Sequence, residues 1–103
     1  MQYGELNLKY GDRQMQRRVI TMLGDYPVVA SDRFSTNIVV NDREITIPRD
    51  MEKSPAGDWG SVYILSTATY VDDGTRIDAK TKETLQNLLK REYDAKKIYV
   101  KFD

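Results

Sequence analysis

The sequence contains no cysteine and no histidine among its 103 residues. Without cysteine there can be no disulfide, no thiolate nucleophile and no thiolate metal ligand. Without histidine, the commonest general base and the imidazole metal ligand are missing too, which excludes Ser-His-Asp and Cys-His mechanisms. We therefore expect no cofactor and no metal site, and any catalysis would depend on carboxylates, lysines or hydroxyls.

Long hydrophobic runs are also missing. The longest, Val62-Tyr63-Ile64-Leu65, ends at Ser66 and is far too short to span a bilayer. The first residues lack the basic region and apolar stretch of a secretory signal. These features favour a cytoplasmic protein with no membrane partner.

The composition is that of a single globular domain over residues 1–103. Hydrophobic residues make up 40% of the chain and charged residues 31%. A chain of this length can bury roughly two-thirds of its unfolded surface, which is enough for one hydrophobic core.

The net charge is zero, because 16 basic side chains balance 16 acidic ones, but the charges are unevenly distributed. Residues 41–78 contain four basic and eight acidic side chains, whereas residues 79–102 contain seven basic and three acidic ones. The two segments either neutralise each other through surface salt bridges or form a charge asymmetry that orients a partner.

Two segments near the start of the chain predict different structures. Residues 3–10 alternate between apolar and polar side chains, which indicates an amphipathic strand. Residues 12–24 fit a helix that begins at Asp12 and ends at Gly24. The β-branched residues in 17–22, followed by Gly24-Asp25, fit a strand and a hairpin turn instead. The caps favour the helix.

The strongest local pattern lies in residues 35–48, which predict a two-residue β-hairpin around Asn41-Asp42. Pairing Val40 with Arg43 places Ile38 opposite Ile45 and Thr36 opposite Ile47, so one face collects the isoleucines. Pro48 is expected to end the second strand.

The rest of the chain predicts five further elements. Charges, Pro55 and two glycines favour a loop over 49–60, and alternation favours a long strand over 61–71. Asp72-Asp73-Gly74 predicts a turn, Asp78 the N-cap of a helix that extends to about Tyr93, and residues 97–102 a final strand.

This order predicts an α+β fold: a small single domain with a mostly antiparallel β-sheet of four to five strands and one or two helices packed on one face. If residues 13–23 form a strand, the alternative is a small barrel or curled sheet that the C-terminal helix closes.

No motif indicates an enzyme. Asp72, Asp73 and Asp78 could hold a weak Mg²⁺ or Ca²⁺ site, but turn formation and helix capping explain them better. Gly57-Asp58-Trp59-Gly60 lacks the lysine of a phosphate-binding loop and carries an acid where phosphate would lie. We therefore expect a protein without catalytic activity.

The leading hypothesis is an interaction module that binds a protein partner, or a second copy of itself, through the 49–61 segment and the adjoining sheet edge. Trp59, next to Asp58 and between two glycines, either covers the core or anchors a partner. Arg49, Asp58 and Tyr63 are the further candidate contacts.

The alternative hypothesis is a weak nucleic-acid-binding domain. Tyr99 would stack on a base while Lys97 and Lys101 contact phosphate. The helix would contribute four more basic side chains: Lys80, Lys82, Lys90 and Arg91. Zero net charge argues against a strong partner of this kind.

Overall fold

Seven β-strands and one α-helix follow one another in residues 19–103, the part of the chain that the computed structural model describes. The predicted strand over 3–10 and most of the predicted helix over 12–24 lie outside these residues. The elements, in chain order, are β1 Thr21–Leu23, β2 Tyr26–Ser31, β3 Ser35–Val40, β4 Arg43–Lys53, β5 Trp59–Tyr63, a 3₁₀ turn Leu65–Thr67, β6 Thr69–Tyr70, α1 Ala79–Lys96 and β7 Val100–Phe102.

The strands form one mixed sheet in the order β1-β2-β3-β4-β5-β7, with β6 paired to β4. The pairing of β5 with β7 is parallel, and the other pairings are antiparallel. The sheet is curled, and α1 contacts both β1 and β7, the two ends of the strand order. The α+β prediction is confirmed, whereas the sheet is larger than predicted and mixed.

The hairpin of β3 and β4 has the predicted register. Val40 pairs with Arg43, Ile38 with Ile45 and Thr36 with Ile47. Asn41 and Asp42 both have positive φ, 51° and 65°, as a type I′ turn requires. The three isoleucines of this face are fully buried and form the centre of the core.

The helix prediction for residues 12–24 is wrong where the structure describes it. Thr21–Leu23 is a strand, paired with β2 across a turn at Gly24-Asp25. The β-branched side chains favour extended backbone here, and hairpin pairing outweighs the helix caps. Gly24 has a φ of 62° and suits the turn.

The prediction that 49–60 is a loop is also wrong. The strand β4 continues through Pro48 to Lys53, and Arg49–Lys53 pairs with Trp59–Tyr63. At Pro48 the strand β4 stops pairing with β3 and begins to pair with β5. Pro48 forms the last pair with β3, opposite Ser35, and the Pro48 carbonyl accepts a hydrogen bond from Ile64 N–H at 2.9 Å. Only residues 54–58 form the turn.

The long strand predicted over 61–71 is interrupted. Its two ends, β5 and β6, both pair antiparallel with β4, and the 3₁₀ turn separates them. In a continuous strand Leu65 and Ala68 would point to opposite faces. The turn brings both into the core, since residues three apart in a 3₁₀ helix lie on one side.

The helix α1 begins as predicted and ends three residues later than Tyr93. The Asp78 carboxylate accepts a hydrogen bond from Thr81 N–H at 2.7 Å, and Leu85 and Leu89 are buried against the sheet. Lys97 ends the helix in a left-handed conformation, with φ 58°. The predicted final strand is shorter: Val100 and Phe102 pack against the core, whereas Ile98 precedes β7 and is exposed.

Candidate functional site

Three large apolar side chains are exposed together at one end of the sheet. Phe34 in the β2–β3 turn is 72% exposed, Met51 on β4 is 41% exposed and Trp59 at the start of β5 is 59% exposed. They line one shallow groove with Arg33 and Asp50. We call these three side chains the Trp59 surface.

The register of the strands explains why these side chains are exposed. Alternation places Met51 on the same face of β4 as Ile45 and Ile47, and Lys53 and Trp59 are paired on that face. The β4–β5 hairpin extends beyond the last pairing of β4 with β3, at Pro48. The apolar core face therefore continues into solvent at this hairpin.

Two cations lie on the aromatic rings of the Trp59 surface. The Arg33 guanidinium carbon is 5.6 Å from the Phe34 ring centroid, and Lys53 Nζ is 5.3 Å from the Trp59 ring centroid.

The exposed apolar area of the Trp59 surface is on the order of 300 Å², comparable to the largest apolar patch of an ordinary monomer. Since Trp59 is mostly exposed, the interpretation of this side chain as a core lid is wrong.

The opposite face of the same hairpin is polar and tightly packed. A Cβ added at Gly60 would overlap the Tyr99 carbonyl oxygen and lie 2.7 Å from the Tyr99 Cβ. The Glu52 carboxylate lies 3.5 Å from the Tyr99 hydroxyl and 3.7 Å from Lys101 Nζ. Glycine at position 60 thus allows the segment that leads into β7 to lie directly against β5.

The residues predicted as partner contacts do not form one surface. Trp59 and Asp58 are exposed at the end of the hairpin, whereas Tyr63 is 4% exposed. The prediction of Tyr63 as a surface contact is therefore wrong, because its ring is buried between β5, Phe102 and α1. Arg49 is half-buried, and its guanidinium is hydrogen-bonded to Ser61 and to the Asp32 carbonyl, in the polar network described next.

Arg49 and Tyr63 belong to a connected hydrogen-bond network. Arg49 Nε donates to Ser61 Oγ at 3.1 Å, and the Tyr93 hydroxyl donates to the same oxygen at 3.2 Å. The Tyr63 and Tyr93 hydroxyl oxygens are 2.7 Å apart. Burial, and then the hydrogen bond with Tyr93, raise the pKa of Tyr63 above the ordinary tyrosine value. The network joins β4, β5 and α1.

The candidate nucleic-acid residues lie on α1 and on the segment that follows it, from Lys97 to Lys101. Tyr99 and Lys101 lie next to Glu52, which would repel phosphate. Lys90 is paired with Asp94 at 3.2 Å. At 1.5 Å per residue, Lys82 and Lys97 are about 20 Å apart along α1. Lys80 and Arg91 are exposed on that helix as well.

The aspartates considered for a metal site have other partners. Asp72 and Asp73 contact Arg43, which stacks on Tyr70 at 3.6 Å from the ring centroid. Hydrogen bonds from Thr75 lower the pKa of Asp73, and the backbone hydrogen bond from Thr81 lowers that of Asp78. Within residues 19–103, no three acidic side chains converge in a way that could hold a metal ion.

The acidic and basic segments interact with each other only slightly. Of the five ion pairs between two described residues, only Glu52–Lys101 joins residues 41–78 to residues 79–102. The others are Arg43 with its two aspartates and two pairs within α1.

Sequence reasoning identified Trp59 but missed Phe34 and Met51. The signal for Met51 was present, since it continues the alternating series of Ile45, Ile47 and Arg49 on β4. The expected loop after Pro48 concealed that series. Phe34 lies in a turn in which the Asp32 carboxylate accepts hydrogen bonds from the N–H groups of Phe34 and Ser35. The exposure of the Phe34 side chain depends on the three-dimensional surroundings of this turn.

Comparisons with protein-family models, with characterised proteins and with solved structures found no significant match. The helix of the described region is not apolar enough to cross a membrane.

Proposed function

We propose that this chain is a non-catalytic interaction module that binds a protein partner through the Trp59 surface. The observation that carries the proposal is the joint exposure of Phe34, Met51 and Trp59 around one groove. Apolar side chains scattered singly over a surface are ordinary, but a contiguous group with a central tryptophan is typical of an interface.

The chemistry of the surface favours a partner with a protruding apolar side chain and a mixed polar rim. The groove between the three apolar residues accepts the apolar group. Arg33, Asp50 and Lys53 supply charges of both signs around it. Such a rim excludes mismatched partners more than it adds affinity.

A capture experiment with matched variants tests the proposal. Trp59→Ala removes the anchor, while Val71→Ala removes an apolar side chain that is 50% exposed outside the Trp59 surface. The partner should be retained by the wild type and by Val71→Ala. With the purified partner, Trp59→Ala should weaken binding by at least about 30-fold, the effect of losing an interface hot spot.

The fluorescence of the single tryptophan gives an independent readout. Its emission should shift to the blue when the purified partner covers the indole. Equal capture by Trp59→Ala would refute the proposal, and so would binding without a spectral shift. If the chain forms a concentration-dependent dimer that Trp59→Ala abolishes, the partner is a second copy of this chain. If the chain binds single-stranded nucleic acid in a salt-sensitive way that Trp59→Ala leaves unchanged, the nucleic-acid hypothesis is favoured instead.

A further inference from the structure

A cavity of about 240 Å³ lies inside the curl of the sheet, between the strands and α1. Its wall is mostly apolar, with side chains from β1 to β5 and from the helix. Its polar groups include the hydroxyls of Ser31, Thr36, Tyr63 and Tyr93, together with the Arg49 guanidinium. We call it the Arg49 cavity. Apolar walls with a few convergent polar groups are typical of small-molecule sites.

Arg49 is the unusual group in this cavity, because it is a half-buried cation that forms no ion pair with a described carboxylate. Among the described residues, no carboxylate oxygen lies within 4.0 Å of its guanidinium. Glu92 and Lys96 also line the cavity, but they are paired with each other at 3.1 Å. Removing a cation from water without an anionic partner is unfavourable, so the position favours binding of an anion.

The protein holds the guanidinium in a defined orientation. Arg49 Nε donates to Ser61 Oγ, which is 3% exposed, and Nη1 donates to the Asp32 carbonyl at 3.0 Å. These bonds use two of the five N–H donors of an arginine. The remaining donors can form the paired hydrogen bonds that a carboxylate accepts.

From this geometry we infer that the Arg49 cavity binds a small monocarboxylate with an apolar body. One uncompensated positive charge matches one negative charge, and the apolar wall matches a ring or a branched chain. An apolar cavity of about 150 Å³ can hold benzene, so 240 Å³ fits a ligand of about ten non-hydrogen atoms. The inference does not depend on the Trp59 surface.

Binding of 3-phenylpropionate to the full chain tests this inference. By calorimetry we expect saturable binding with a Kd on the order of 1 mM or below, as a ligand of this size allows. The neutral isostere 3-phenylpropanamide should bind at least about 10-fold more weakly, since it lacks the charge-assisted hydrogen bonds.

Two arginine variants provide the matched comparison. Arg49→Met should weaken binding of the carboxylate by at least about 10-fold and leave the amide unaffected. Arg43→Met should leave both unchanged, because Arg43 does not line the cavity and is already paired with Asp72. A thermal melt of each variant establishes that it is folded.

A measurement on the wild type keeps the test independent of any folding defect. The NMR signal of the Arg49 Nε–H should move on addition of the carboxylate and stay in place with the amide. The inference is overturned if binding is not saturable, if acid and amide bind equally, or if a folded Arg49→Met variant retains the wild-type affinity for the carboxylate.

Discussion

Gly60→Ala is the single-methyl change that should do the most damage to this fold. The added Cβ would overlap the Tyr99 carbonyl oxygen and lie 2.8 Å from its carbonyl carbon. That carbonyl also accepts a hydrogen bond from Ser61 N–H at 3.1 Å. The methyl group must therefore push the segment before β7 away from β5.

The magnitude follows from two costs. Overpacking of this kind costs about 1–3 kcal/mol, and loss of the Ser61–Tyr99 hydrogen bond adds about 1 kcal/mol. The free energy of unfolding should thus fall by about 2–4 kcal/mol. For a domain of this size the melting temperature should fall by roughly 10–25 °C.

Urea unfolding and thermal melting measure this effect, and two controls define its cause. Gly57→Ala has nothing within 4 Å of the added Cβ, and its positive φ of 95° should cost about 1–2 kcal/mol, less than the expected effect of Gly60→Ala. A Tyr99→Ala background should not rescue Gly60→Ala, because the obstructing oxygen belongs to the backbone. The reasoning is refuted if Gly60→Ala is no less stable than Gly57→Ala.

Two further predictions concern the end of α1 and the buried phenol. Lys97→Gly should raise the free energy of unfolding, measured in urea, by up to about 1 kcal/mol, because Lys97 has a φ of 58° that glycine adopts without strain. An unchanged or lower free energy of unfolding would contradict this. Tyr63 should be the last tyrosine to ionise in an absorbance titration, since its pKa is raised. The folded state favours the neutral phenol of Tyr63. This preference contributes fully to the free energy of unfolding below about pH 10, and the contribution is lost as the pH rises further. Ionisation of all tyrosines together in the intact fold would contradict this second prediction.

Local patterns predicted the elements whose determinants are close in the sequence. The β3–β4 hairpin was predicted in register because Asn41-Asp42 and the alternating isoleucines specify it together. The start of α1 was predicted because one side chain, Asp78, caps it.

The errors arise where pairing with distant residues outweighs local signals. Pro48 and the charges after it indicated a loop, but Trp59–Tyr63 supplies the backbone partners that extend β4. The 3₁₀ turn of Leu65–Thr67 has no local signal, since it forms where two buried side chains must reach one core. The Arg49 cavity could not be predicted, because its lining combines five strands with the helix.

The parallel pairing of β5 with β7 also constrains the order of folding. The pairs β1–β2, β2–β3, β3–β4 and β4–β5 are joined by short turns, so each can form by local hairpin closure. Pairing β5 with β7 instead requires the connecting residues 64–99 to close a loop that contains the whole of α1. The last strand is therefore expected to join the sheet late, after the transition state, and stabilising it should slow unfolding more than it speeds folding.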